Sequence, residues 1–153
     1  MERQIEQVKE FHKAFNIPVI NKPQIPSLER CEMRQNILEE EVQELKNATE
    51  KKDIVEIADA ITDCLYVLLG TAHEFGLANV LSRCFDEVHD SNMSKLDENG
   101  KPIYREDGKI LKSKQYKKPK LKKIINTCPH ARKYYVYGAF GGIYCSNCGK
   151  KLE

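Results

Sequence analysis

The stretch VEIADAITDCLYVLLGT, residues 55–71, decides the fold. It is dominated by apolar residues, yet it carries Glu56, Asp59 and Asp63. At about 100° per residue of helix, these three acids fall within about 60° of one another. Asp53 can cap the start and Gly76 can stop the end, so a helix spans this interval. Its acids share their strip with Ala60 and Val67, which are core-type residues. Like charges one turn apart destabilise a helix. Buried acids without partners are costly or take up protons. The helix therefore has to pack apolar residues into a bundle and also find something to offset its acids.

Working outward, Ile5, Val8, Phe11, His12 and Phe15 recur at helical spacing and predict a first helix over about 2–15. The proline-rich NIPVINKPQIPS is a loop. Ser27 caps a second helix with Leu28, Cys31, Ile37, Leu38, Val42 and Leu45 on its apolar side, ending near Glu50. A fourth begins near Ala78 and carries Val80, Leu81, Phe85, Val88 and Met93. Four long helices with short connections predict an all-α bundle. Beyond DENG, KPIYREDGKIL predicts a small hairpin around Asp-Gly, and KSKQYKKPKLKK reads as an extended, mobile basic segment. Cys31, Cys64 and Cys84 fall singly on helices and read as packed thiols. His12, His73 and His89 lack any ligand pattern and read as core or surface residues.

The second helix presents Glu40, Glu41 and Glu44 within an arc of about 100°. Two facing helices that both present acids repel one another unless cations sit between them. Hard divalent cations take carboxylate oxygens, and Mg²⁺ completes its shell with water and substrate phosphate.

Glu40-Glu41-Val42-Gln43-Glu44 matches EExxE and Glu56-Ile57-Ala58-Asp59 matches ExxD, with eleven residues between the two halves. Together they resemble the signature of the all-α nucleoside triphosphate pyrophosphohydrolases, the MazG-like and phosphoribosyl-ATP pyrophosphatase-like group. EVHDSNMSKLDENGKPIYREDGKILKSKQY looks like the segment that follows the fourth helix in a phosphoribosyl-ATP pyrophosphatase-like subgroup. The resemblance covers about residues 28–118. It implies a MazG-like helical bundle, hydrolysis of a nucleotide between its α- and β-phosphates, and Mg²⁺ (or Mn²⁺) as cofactor. Glu41, Glu44, Glu56 and Asp59 would be the metal ligands, with Asp63 a further candidate outside the minimal motif. Glu40 would bind a metal or orient the attacking water. Asn92 and Lys95 would contact the triphosphate, and Lys114 is a further phosphate candidate, as are Lys112, Lys117 and Lys118 if the segment folds back. In this family such a bundle is typically completed by a partner chain, so a homodimer or a dimer of dimers is expected.

At the C-terminus, Cys128, His130, Cys145 and Cys148 form two close pairs separated by a stretch able to form a β-hairpin. Tetrahedral zinc sites use such pairs. A segment this short cannot build an adequate core, so a structural Zn²⁺ would supply its folding energy. The module resembles a zinc ribbon, with Cys-x-His in place of one Cys-x-x-Cys. The expected domains are an all-α core over 1–97, a basic segment over 98–125 belonging to the active-site region, and the zinc module over 126–153.

The charge is asymmetric: net −8 over residues 1–90, +7 over 91–125 and +3 over 126–153. An acidic body with a basic segment fits a site that holds cations against a polyanion. No apolar run reaches the roughly 18 residues of a membrane span, and the charged N-terminus does not read as a secretory signal. These features predict a soluble, cytoplasmic protein acting on a nucleotide substrate. Two other readings remain open at this stage: a zinc-ribbon nucleic-acid-binding protein, which the net −8 body disfavours as the main role, and a noncatalytic nucleotide or metal sensor.

Overall fold

The computed structural model describes residues 1–127, 135–137 and 142–145. The described chain is helical: α1 (Glu2–Ala14), α2 (Leu28–Lys51), α3 (Ile54–Glu74), α4 (Leu81–Met93) and the short α5 (Leu121–Asn126). Two three-residue strands, β1 (Tyr135–Tyr137) and β2 (Ile143–Cys145), pair antiparallel, with Tyr135 opposite Cys145. Residues 128–134, 138–141 and 146–153, on which most of the expected zinc-ribbon module falls, lie outside the described residues. No helix among the described residues is long and apolar enough to cross a membrane.

The chain forms two compact units, Met1–Asn79 and Val80–Glu153. In the first, α2 and α3 make the most extensive helix–helix contact, and α1 packs on α3. Local chemistry sets each boundary. Ser27 Oγ accepts the Arg30 amide at 3.3 Å, and Asp53 Oδ1 accepts the amides of Val55 at 2.9 Å and Glu56 at 3.3 Å. Such caps satisfy amides that have no partner inside the helix. Only Lys52 and Asp53 separate α2 from α3, and Lys52 turns the chain with φ 57°. Gly76, at φ 69°, ends α3: its amide bonds the His73 carbonyl at 3.2 Å, and the Leu77 amide bonds that of Ala72 at 2.8 Å. This is a Schellman closure, which favours glycine. A Cβ here would also lie 2.1 Å from the Lys22 carbonyl oxygen, because the 16–27 loop lies across the end of α3.

The core of this unit is small-residue packing: Ile5, Val8, Ala48, Ala60, Leu69 and Ala72 are buried. Much of the apolar run of α3 is not. Ile61, Leu65 and Leu68 are about half exposed, and Ile54 and Val55 are more so. The expectation that the apolar residues of α3 pack within the bundle thus holds for one face only.

In the second unit α4 contacts α5. The Asp-Gly hairpin is a single antiparallel bridge, Tyr104 to Ile110, closed at Gly108 with φ 82°. The basic segment is extended, as expected, but it is not a loose tail. Ser113 Oγ donates to the Leu96 carbonyl (2.7 Å) and Ser91 Oγ to that of Lys117 (2.8 Å). The Lys117 amide donates to Ser94 Oγ (2.8 Å), and the Lys120 amide to Glu87 Oε1 (2.7 Å).

Candidate active site

The two-residue link folds α2 back along α3 in antiparallel register. Arg34 bonds Thr71 and Val67 near the end of α3, and seven residues further along α2, Glu41 interacts with Asp63 and Asp59. Glu41 and Asp63 are partly buried, whereas Glu40, Glu44, Glu56 and Asp59 are exposed. Burial pushes the Glu41 carboxyl up from the usual carboxylate range. The charges of Asp63, Glu44, Glu40 and Asp59 push it further the same way. Both effects disfavour the ionised form. Asp63, which lies outside the EExxE and ExxD pattern, is the largest of those four charge effects. Glu56 is not among the charges acting on Glu41.

None of these six acids has a basic partner in an ion pair among the described residues. Equally, no three His, Cys, Asp or Glu side chains among the described residues converge closely enough to hold a metal ion. The helices thus gather like charges on one region, and the carboxylates are not drawn onto a single point. The donor set, all carboxylate oxygen, suits a hard divalent cation.

The opposite end of the same helix pair carries charges that sequence reasoning did not single out. Glu74 is 1% exposed. Both nitrogens of the Arg30 fork donate to it, Nη2 to Oε1 at 2.9 Å and Nε to Oε2. Arg34 Nη1 lies 3.6 Å from Glu74 Oε1. Arg34 is buried too; its Nε donates to Thr71 Oγ1 (3.1 Å) and its Nη2 to the Val67 carbonyl (2.6 Å). His12 and His73 are buried beside this network with ring centroids 5.6 Å apart. His12 Nδ1 donates to the Pro18 carbonyl at 3.1 Å and His73 Nε2 to the Ile5 carbonyl at 2.8 Å. A carbonyl only accepts, so these contacts fix each tautomer. Burial pulls the His73 imidazole below its ordinary pKa. Of the core or surface roles expected for the three histidines, His12 and His73 have the core one and His89 the surface one. The available signal for the network was Arg30 and Arg34 one turn apart, with a lone Glu74 in an apolar context.

In the second unit, Lys95 Nζ donates to Asn92 Oδ1 at 2.7 Å, which brings together the two residues of the SNMSK stretch. Tyr116 joins them. Its hydroxyl is held below its ordinary pKa by a hydrogen bond with Ser91 and by the charges of Lys112 and Lys95. Lys112 Nζ also lies 4.3 Å from the centre of its ring. Tyr116 was not picked out from sequence, although it ends the KSKQY stretch. Lys114 lines a cavity of about 240 Å³ with Asp97, Glu98, Ile103, Ser113 and Gln115. Cys31, Cys64 and Cys84 are partly buried free thiols. Cys128, His130 and Cys148 lie outside the described residues. Only the backbone of Cys145, in β2, is described.

Residues 8–92 match the phosphoribosyl-ATP pyrophosphohydrolase family, a span of more than half the chain. The chain belongs to that family. No curated protein matches it. A member of the phosphoribosyl-ATP pyrophosphohydrolase family is a hydrolase of phosphoric anhydrides, and the all-α fold accords with this membership. The matched span contains every acid of the EExxE and ExxD stretches, together with Asp63 and Asn92. It ends before Lys95, Lys114 and the cysteine-rich C-terminus.

Proposed function

We propose that the chain hydrolyses a nucleoside triphosphate, a deoxynucleoside triphosphate or a related nucleotide between the α- and β-phosphates. The products would be a monophosphate and pyrophosphate. The observation that carries this reading is Glu41 facing Asp63 and Asp59 across the α2/α3 pair, with no basic ion-pair partner among the described residues, in a chain of a pyrophosphohydrolase family. Glu41, Glu44, Glu56 and Asp59, with Asp63, would hold Mg²⁺ or Mn²⁺. When bound, such an ion lowers the pKa of a water and neutralises charge on the phosphates. Glu40, adjacent to Glu41 and acting on its charge, would orient the attacking water and accept its proton. Asn92 and Lys95, already joined, would steady the triphosphate, with Lys114 as a further phosphate contact.

Two further elements belong to the proposal. The exposed stripe Ile61, Leu65 and Leu68 on α3 supports a homodimer or dimer of dimers, since contiguous apolar patches mark interaction sites. Cys128, His130, Cys145 and Cys148 would hold a structural Zn²⁺, which metal analysis of the purified chain would detect at one equivalent.

The test is incubation with a panel of ribo- and deoxynucleoside triphosphates and phosphoribosyl-ATP, with Mg²⁺ or Mn²⁺, scored by pyrophosphate release. Release from at least one member, abolished by chelation, is the expected result. No release from any of them, with divalent metal shown bound, would overturn the hydrolase reading.

A further inference from the structure

Residues 112–123 hold seven lysines in twelve residues: Lys112, Lys114, Lys117, Lys118, Lys120, Lys122 and Lys123. All seven are exposed, and none is ion-paired among the described residues. Asp86, Glu87 and Asp90 stand on neighbouring α4 and still pair with none of them. Between Asp107 and Glu153 the sequence contains no acid.

The backbone of this run is held in place. It lies antiparallel along α4: Ser113 bonds Leu96, Lys117 bonds Ser91 and Ser94, and Lys120 bonds Glu87. Beyond it, Arg83 Nη2 donates to the Thr127 carbonyl at 3.1 Å. The anchors on α4 from Arg83 to Ser94 cover roughly 16 Å of helix at about 1.5 Å per residue. Each bond uses a main-chain group or a serine of the segment, so no lysine ammonium is consumed in holding it. Fixing seven like charges side by side is unfavourable without a counter-charge.

We infer that this anchored lysine row is a binding site for the phosphate backbone of a nucleic acid. Its length selects a polymer over a single nucleotide, whose three linked phosphates would engage only a small part of the row. Its composition selects phosphate over an acidic protein: protein interfaces are depleted in lysine and centred on apolar or aromatic anchors. No such anchor sits among the outward-facing positions. An anionic membrane is the less suitable partner, because stable attachment takes an apolar or lipid element in addition to charge. Of its lysines only Lys114 is also proposed as a phosphate contact in hydrolysis; the other six act apart from that reaction. Point charges on flexible stems read charge and spacing without sequence, so the binding is salt-sensitive and sequence-tolerant.

The test is fluorescence anisotropy of the full chain with a short labelled single-stranded DNA across a salt series. The triple variant Lys120→Gln, Lys122→Gln and Lys123→Gln uses exposed positions outside the proposed hydrolytic site. It is expected to weaken binding at least tenfold and to lower the slope of log K against log salt by about 2 to 3, while nucleotide hydrolysis is unchanged. Ser94→Ala keeps every lysine and frees the Lys117 amide; it is expected to weaken binding severalfold. An unchanged slope in the triple variant overturns the proposal and moves any binding elsewhere on the chain. So does full competition by inorganic triphosphate at equal phosphate concentration, which would make the row a nucleotide subsite. Lysine-dependent binding to polyglutamate or phosphatidylserine vesicles, with none to DNA, also overturns it. Unaltered affinity in Ser94→Ala overturns the role of the anchoring.

Discussion

The α2/α3 pair has two ends, and they treat charge in opposite ways. At one, Glu74 is fully buried between Arg30 and Arg34, and the Arg34 guanidinium is satisfied further by Thr71 and Val67. At the other, Asp63, Glu44 and Asp59 press on Glu41, and none of the four has a basic partner in an ion pair among the described residues. Had the acids served only to hold the helices together, the first arrangement would have sufficed at both ends. The contrast gives the neutralised end a structural role and leaves the repelling end as the one where the proposed cations would act.

The comparison breaks most severely at Glu74. Glu74→Gln leaves two arginines without their anion, one of them buried, and is expected to cost about 3–5 kcal/mol in urea unfolding. A loss below 1 kcal/mol would remove the structural role from that end. Next come Glu44→Gln and Asp59→Asn. These should lower pyrophosphate release by about 100-fold or more, the scale of deleting one preorganised electrostatic contact. Their unfolding midpoints in chelator should not fall, and full activity in either variant would refute the site.

His73 tests the neutral end more gently. Its folded pKa lies below the ordinary value because burial disfavours the imidazolium. Above about pH 6.5 the ring is neutral whether the chain is folded or not, and the stability is fully present. As pH falls below that value the unfolded chain takes up the proton first. Stability then declines until the folded ring also protonates. Melting curves from pH 8 to 5 should show this decline, and His73→Gln should flatten it. The smallest effect belongs to Asp63→Asn without divalent ions, which removes one like charge and should stabilise the chain by a few tenths of a kcal/mol. A destabilised Asp63→Asn protein would place Asp63 in a structural role instead.

Much of this frame was legible in the sequence. Ser27, Asp53 and Gly76 mark helix limits through local chemistry that a single sequence displays, and helical spacing alone put Glu56, Asp59 and Asp63 on one strip. What required the structure depends on register between elements. Glu74 looks like an ordinary charge near a helix end until the hairpin sets Arg30 and Arg34 beside it. Ile61, Leu65 and Leu68 belong to the apolar run expected to pack, because composition shows that a helix is apolar, not whether anything covers each face. The lysine segment read as mobile because the serines and Glu87 that hold it bond the main chain, an interaction with no sequence period.

The turn of Lys52 and Asp53 has a kinetic consequence. Closing the α2/α3 hairpin costs little chain entropy, since partners near the turn are close in sequence, and local contacts of this kind form early. The carboxylates on the two helices are therefore brought face to face as soon as the hairpin closes, before the more distant α1 need dock. If the proposed divalent ion binds there, it would relieve repulsion during folding as well as after it, and would be met on the way to the final shape.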